Sequence, residues 1–173
     1  MEVHIEEIES PIGTIVMAES DGALCALDFE KSAEPVLARL TRRFGSLQVR
    51  QGNGVREFRK RLEAYFHGEL NALGGLAVEP GGTPFQREVW TALQRIPAGS
   101  TTSYSELAAT IGRRSAVRAV GMANARNPIA VVIPCHRVVG RDGSLTGYAA
   151  GLERKRWLLQ HEGCFPQVEL KLF

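Results

Sequence analysis

Cys135, His136 and Arg137 stand side by side behind Pro134, at the end of the apolar run Ile129-Ala130-Val131-Val132-Ile133. A thiol, an imidazole and a guanidinium carried into an apolar interior are costly unless each finds a partner. The run itself reads as a segment buried on both sides, and Pro134 fixes its own φ while pushing Ile133 into an extended conformation. A thiol beside an imidazole suggests nucleophilic catalysis, in which a base raises the thiolate fraction. The bland alternative for Cys135 is a small buried hydrophobe, as most free cysteines are. Adjacent side chains usually point different ways, so direct contact between Cys135 and His136 is not guaranteed, and a bridging water can close the gap. A carboxylate is also needed to orient the imidazole. Glu162, which ends a helical stretch with few other acids near it, is the candidate. Thiol proteases hold their Cys and His far apart in sequence, which disfavours that chemistry here.

The elements that must position these groups can be followed from the N-terminus. Val3–Ile8, Ile12–Ala18 and Ala23–Phe29 read as three strands of an antiparallel meander, punctuated by Ser10-Pro11 and Ser20-Asp21-Gly22. Cys25 falls in the third as sheet packing. Pro35 opens a helix with the stripe Val36, Leu37, Leu40 and Phe44, ended by Gly45, and Leu47–Arg50 is a candidate short strand. A second stripe, Val55, Phe58, Leu62, Tyr65 and Phe66, is closed by His67-Gly68, with Arg59-Lys60-Arg61 read as solvated on its far side. Nothing in this half looks like chemistry. The Gly- and Pro-rich stretch from Leu73 to Gly82 marks a boundary, dividing a support domain (1–79) from a second domain (80–173).

Beyond it, Thr83-Pro84-Phe85-Gln86 forms a capping box opening a helix that runs to Pro97-Ala98-Gly99. A second box, Ser103-Tyr104-Ser105-Glu106, starts a short helix. After the turn Gly112-Arg113-Arg114, Ser115 is expected to cap another, Ala116 to Asn124. Two short helices around a glycine-containing turn fit a helix-turn-helix. Ala116, Ala119 and Gly121 leave little bulk around Arg118, which allows close approach to a partner surface with one side chain reaching out. Leu145 to Gly151 is a small-residue loop able to wrap a flat ligand. In the last helix, Leu152–His161, Trp157, Leu158 and Leu159 read as core, whereas Glu153, Arg154, Lys155 and Arg156 read as surface. The tail from Cys164 is short and uninformative.

Composition narrows the setting. The 173 residues are 44% hydrophobic and 23% charged, an ordinary globular balance. Residues 1–82 carry 9 Lys+Arg against 13 Asp+Glu, and residues 83–173 carry 12 against 6, so only the second half suits a polyanion. No apolar run approaches the ~20 residues of a membrane helix. The acidic, alternating N-terminus reads as neither signal nor transit peptide. Cys25, Cys135 and Cys164 are few, odd in number and without metal spacing, which suggests a reduced, cytoplasmic setting.

Ile133-Pro134-Cys135-His136-Arg137-Val138, with Asn127-Pro128 before it and Gly147-Tyr148 and His161-Glu162-Gly163 after it, closely resembles the O6-alkylguanine-DNA alkyltransferases, or methylated-DNA–protein-cysteine methyltransferases. The resemblance covers residues 80–165, while the N-terminal half matches only in its order of elements. It implies a mixed α/β (α+β) chain, with a ribonuclease-H-like N-terminal domain and a mostly helical, winged-helix-like C-terminal domain holding the helix-turn-helix. By the same resemblance Cys135 is the acceptor thiol, His136 deprotonates it through a water, Glu162 polarises that histidine and Asn127 braces the turn. Tyr104 supports the purine leaving group, and Arg118 fills the hole left by a flipped nucleotide. Tyr148 and Ala149 close over the base, and the carbonyls of Cys135 and Val138 accept its amino group. The implied partner is double-stranded DNA containing alkylated guanine, bound by a monomer, with O4-alkylthymine and self-association along DNA left open. No metal or other cofactor is expected, since Cys25 is the N-terminal half's lone cysteine. The sequence departs from many relatives at Ala149-Ala150, where Ser or Gly is frequent, and Ala150 narrows the room for bulky alkyl groups.

Overall fold

In β1 (Glu2–Ser10) buried Val3 and Ile5 alternate with polar neighbours, the period-two pattern of a strand with two different faces. The computed structural model describes residues 1–165. β1 pairs antiparallel with β2 (Gly13–Ser20), and β2 with β3 (Ala23–Asp28), so the expected meander forms. The short strand expected near residue 48 is β4 (Gln48–Gln51), which joins the free edge of β1 in parallel and gives the order β3-β2-β1-β4. Between β3 and β4 runs α1 (Glu34–Phe44), with Pro35 in its first turn, basic Arg42 and Arg43 in its last, and Gly45 beyond it at φ 77°. Val36 and Leu40 of α1 pack with Val3, Ile5, Val16 and Ala18 on one face of the sheet.

The other face meets α2 (Arg56–Phe66) and the C-terminal half together. Ile15, Met17, Leu24 and Leu27 share one buried cluster with Leu62 and Tyr65 of α2, Val89 and Leu93 of α3 (Pro84–Leu93), and Leu158 of α6 (Leu152–His161). A single core therefore spans both halves. β3 extends this union through its backbone. Its outer edge takes Val78 beside Leu24 and Ile129 beside Leu27, with Leu27 N–H donating to Pro128 O (3.0 Å) and Ala130 N–H to Leu27 O (2.9 Å).

Both capping boxes form as expected, at Thr83/Gln86 for α3 and Ser103/Glu106 for α4 (Tyr104–Thr110). α4 packs on α5 (Val117–Ala125), and Trp90 Nε1 of α3 donates to Ala123 O at 2.9 Å, fixing the helix-turn-helix to the core. β5 (Thr102–Ser103) and β6 (Val138–Val139) pair in parallel and bracket the site. Among the described residues no helix is long and apolar enough to cross a membrane.

Several expectations need correction. α3 stops at Leu93 and continues to Ile96 only as tight turns, because Arg95 and Ile96 donate three residues back, to Ala92 O and Leu93 O. Ser115 caps nothing: α5 begins after Ala116 with no side-chain cap. Arg59 and Arg61 are more than solvated, Arg59 pairing with Glu6 of β1 and with Glu63, and Arg61 donating to the carbonyls of Ala72 and Gly74. Lys155, read as surface, is 0% exposed. The tail after Phe165 lies outside the described residues.

Candidate active site

The run Ile129–Ile133 is fully buried but coils into a turn, with only Ile129 bridging to β3. Val131 takes φ 69°, a left-handed conformation strained for a β-branched residue. Asn127 secures the turn from inside, accepting from Ile129 N–H on Oδ1 (3.0 Å) and donating from Nδ2 to Ile133 O (2.7 Å). The chain then passes Pro134 into a 3-10 turn, Cys135–Arg137. This places Cys135 in the wall of a largely apolar cavity of about 650 Å³, within the roughly 300–1,000 Å³ usual for small-ligand sites. Burial pushes the Cys135 thiol up to about 11, against the opposing pull of Asn127 and the Lys155 ammonium. At neutral pH the resting thiol is protonated.

Behind it lies a saturated ionic cluster. His136 is 0% and Glu162 3% exposed. Glu162 Oε1 accepts from His136 Nε2 (2.9 Å), Arg137 Nη2 (2.7 Å) and the Tyr65 hydroxyl (2.7 Å), and its Oε2 accepts from Arg137 Nε (2.9 Å). Arg137 also donates through Nη1 to Ile96 O (2.6 Å). Burial acts to raise the Glu162 carboxyl, but these donors win and hold it well below the usual carboxylate range. An ionised Glu162 requires the proton of His136 on Nε2. The other ring nitrogen, Nδ1, is then a bare lone pair, and it is buried without a partner. Burial pulls His136 below its ordinary value despite Glu162, so the imidazole rests neutral. The arrangement is a buried thiol next to an oriented base with its free acceptor unspent.

The loop Thr146–Ala150 forms the opposite wall. The Tyr104 hydroxyl donates to Thr146 O (3.0 Å), and Lys155 Nζ donates to Thr146 O (2.9 Å) and Gly147 O (3.1 Å). Burial lowers the Lys155 ammonium to about 8, partly offset by Cys135. Tyr148 lines the cavity with a buried hydroxyl that has no partner, and Ala149 and Ala150 border the mouth. Arg118 and Gly121 of α5 form the rim, Arg118 exposed. Ala116 and Ala119 lie outside the cavity wall on the same helix-turn-helix, Ala119 exposed. Val138 does not reach the cavity; it is buried in the β5–β6 ladder. The N-terminal half contributes Asp28 and Arg39, paired at 2.7 Å, to the rim.

Family models match nearly the whole chain: the ribonuclease-like domain of 6-O-methylguanine DNA methyltransferase at residues 3–80, and its DNA binding domain at residues 84–164. The chain belongs to this methyltransferase family. The methylated-DNA–protein-cysteine methyltransferase of Salmonella typhimurium is 46% identical over 164 residues, spanning 91% of this chain and 94% of that one. The protein of the same name from Mycobacterium tuberculosis is 42% identical over 172 residues, 99% of each. The crystal structure of M. tuberculosis O6-methylguanine methyltransferase overlays with a TM-score of 0.78 at 40% identity, covering 96% of both chains. A complex of M. tuberculosis OGT with DNA overlays at 0.77 with 37% identity and 96% coverage of each.

Sequence reasoning misread two residues that bear on the site. Tyr65 passed as one more apolar residue of a stripe, although a hydroxyl in a core stripe needs a partner and so carries a signal. Lys155 passed as part of a charged run, although it stands three and four residues before Leu158 and Leu159, on the face that helix buries.

Proposed function

We propose that this chain repairs DNA by moving the alkyl group of O6-alkylguanine onto Cys135, once per molecule. The observation that carries the reading is the pairing of a neutral buried thiol in a base-sized cavity with His136 Nδ1, an oriented but unpartnered acceptor. His136 draws the thiol proton through one bridging water. The thiolate forms a C–S bond to the alkyl carbon as the C–O bond to guanine breaks, and that electron pair spreads into the purine ring. The Tyr104 hydroxyl, turning from Thr146 O, donates to ring N3 and stabilises the developing charge. Cys135 O, which Asn124 Nδ2 approaches at 3.4 Å, accepts from the guanine amino group. Val138 lies behind the wall and is left out of that role. Ala149 N–H faces the guanine oxygen, and Tyr148 closes over the ring.

A base in duplex DNA must leave the stack to reach Cys135, at a cost of about a few kcal/mol. Arg118, exposed on the rim, offsets it by occupying the vacated space, and Ala116, Ala119 and Gly121 let α5 approach the minor groove closely. In this reading residues 1–79 support the site, residues 80–173 bind DNA and accept the alkyl group, and the protein works in the cytoplasm with access to DNA. The thioether product has no easy hydrolysis, so the molecule is consumed.

Incubation with an oligonucleotide containing O6-methylguanine, followed by peptide mass mapping, tests the proposal. One methyl on the Cys135 peptide, never more than one per molecule, is the expected result. Repeated turnover, or a methyl absent from that peptide, overturns it. Cys135→Ala should abolish transfer and keep DNA affinity. Arg118→Ala should slow repair of duplex more than repair of the free base, and equal loss on both would remove Arg118 from the flipping step.

A further inference from the structure

Tyr65 belongs to α2, in the half of the chain with no part in the chemistry proposed above, yet its hydroxyl reaches Glu162 Oε1 at 2.7 Å across 97 residues of sequence. Its burial is complete. The contact is registered from both ends. His161, the neighbour of Glu162, donates from Nε2 to Tyr65 O at 2.7 Å and sets its ring edge-on to Tyr65 at 5.1 Å between centroids. Phe66 and Trp157 complete the aromatic cluster, Trp157 stacking on His161 at 4.8 Å. The hydroxyl is therefore held against the carboxylate by rigid packing at the joint of α2 and α6.

Oε1 accepts from the Tyr65 hydroxyl, Arg137 Nη2 and His136 Nε2 at once, three donors on an oxygen with two lone pairs. Each donor weakens the hold of the others. Arg137 has a second contact on Oε2, so the share that Tyr65 takes comes mainly from His136. The phenol stays protonated throughout, since burial and then the neighbouring carboxylate push it far above its ordinary range. We infer that Tyr65 is a positioning residue for the reaction at Cys135: its hydroxyl limits how strongly Glu162 draws on the Nε2 proton of His136, and thereby sets the strength of Nδ1 as a base. The inference rests on the role proposed for His136. It gives the N-terminal half a part in the chemistry.

The charged and titratable groups bearing on His136 are Glu162 and Arg137 beside it and Lys155 from α6. Tyr65→Phe leaves all of them and the aromatic packing in place and removes one hydroxyl. Glu162 then pulls harder on the imidazole proton and stabilises the charged ring. The His136 titration, followed by ¹⁵N NMR, should move upward by about half a pH unit or more. The acid limb of the methyl-transfer profile should move with it, and DNA affinity should not change. Incorporation of 3-fluorotyrosine at position 65, a stronger donor of the same shape, should move the titration downward, which keeps the test decisive if the Phe variant folds poorly. An unmoved His136 titration in both proteins overturns the inference, even if the Phe variant is slower or less stable, since that pattern marks a merely structural tyrosine. A titration that moves as expected, in a protein that transfers no methyl group, upholds the coupling and overturns the proposed activity instead.

Discussion

α6 and its cap carry two buried charges about two turns apart, Lys155 and Glu162, and they are housed in opposite ways. Glu162 is surrounded by donors, including a guanidinium that grips both its oxygens. Lys155 has no acidic partner among the described residues; its ammonium rests on the carbonyls of Thr146 and Gly147. A buried ion saturated by an opposite charge is rigid and electrically spent. A buried ion held only by neutral dipoles keeps its charge for something else, and here that charge bears on Cys135. In the proposed reaction the first pocket orients a base. The second holds the loop over the cavity while favouring the thiolate, at a cost to folding.

Removing the partner in the saturated pocket should have the larger effect. Glu162→Gln leaves Arg137 buried without its counter-charge, which costs about 3–5 kcal/mol of stability. It also frees His136 to take the wrong tautomer, so methyl transfer should fall by about 10²- to 10⁴-fold. Chemical denaturation and single-turnover kinetics read the two losses. The Glu162 carboxyl is depressed in the folded state, so its stabilisation is complete above the unfolded value of about 4.3 and is lost as pH falls below it. The variant should accordingly show a flatter loss of stability in acid. A variant as stable as the parent at pH 7 would mean that the cluster is no more than a break-even ion pair.

Lys155→Met should separate what Glu162→Gln confounds. An ammonium lowered from 10.5 to about 8 reports a burial cost of about 3 kcal/mol, part of which its two hydrogen bonds already offset. Methionine fills the same space without charge, and the freed carbonyls belong to exposed loop residues that water can reach. A net gain of about 1–2 kcal/mol follows, with Tm higher by about 2–8 °C. Transfer should slow by about tenfold, because the loop loses its tie and the thiolate its nearby cation. A stabilised but slower variant would show that Lys155 is kept for function. A destabilised one would return it to the class of structural residues.

The same contrast explains what could be read from the sequence. Strand alternation, both capping boxes and the Gly45 stop are local signals, and they placed most elements correctly. Cys135, His136 and Glu162 were legible because polar groups stood out against an apolar run and a helix end. Lys155 was hidden by its neighbours Arg154 and Arg156, and the carbonyls that permit its burial come from a loop whose path no local pattern encodes. Tyr65 depends on a partner at the far end of the chain. The turn at Ile129–Ile133 was opaque for another reason: five apolar residues have no period, and what bends them is the side chain of Asn127 acting on their backbone. Ser115 shows the reverse error, a good capping residue left one position outside its helix because Ala116, itself not yet helical, occupies the cap position.

Alkaline pH offers the finest discrimination between the two pockets. Below about pH 8 Lys155 is protonated in both folded and unfolded chains, and the burial cost is constant. Between about 8 and about 10.4 the unfolded chain holds the proton and the folded one does not, so this residue makes stability rise with pH. Cys25 and Cys135 act the other way in an overlapping window. Both thiols are raised to about 11 by burial, while unfolded thiols ionise from about 8.5, so the folded chain loses stability as pH climbs. The absolute curve therefore hides Lys155, and the difference between the parent and Lys155→Met isolates it. The advantage of the variant should be constant up to about pH 8, vanish between about pH 9 and 9.5, and turn into a disadvantage by about pH 10. An advantage that persists at pH 10 would come from packing alone, and the charge of Lys155 would then have no cost to reveal.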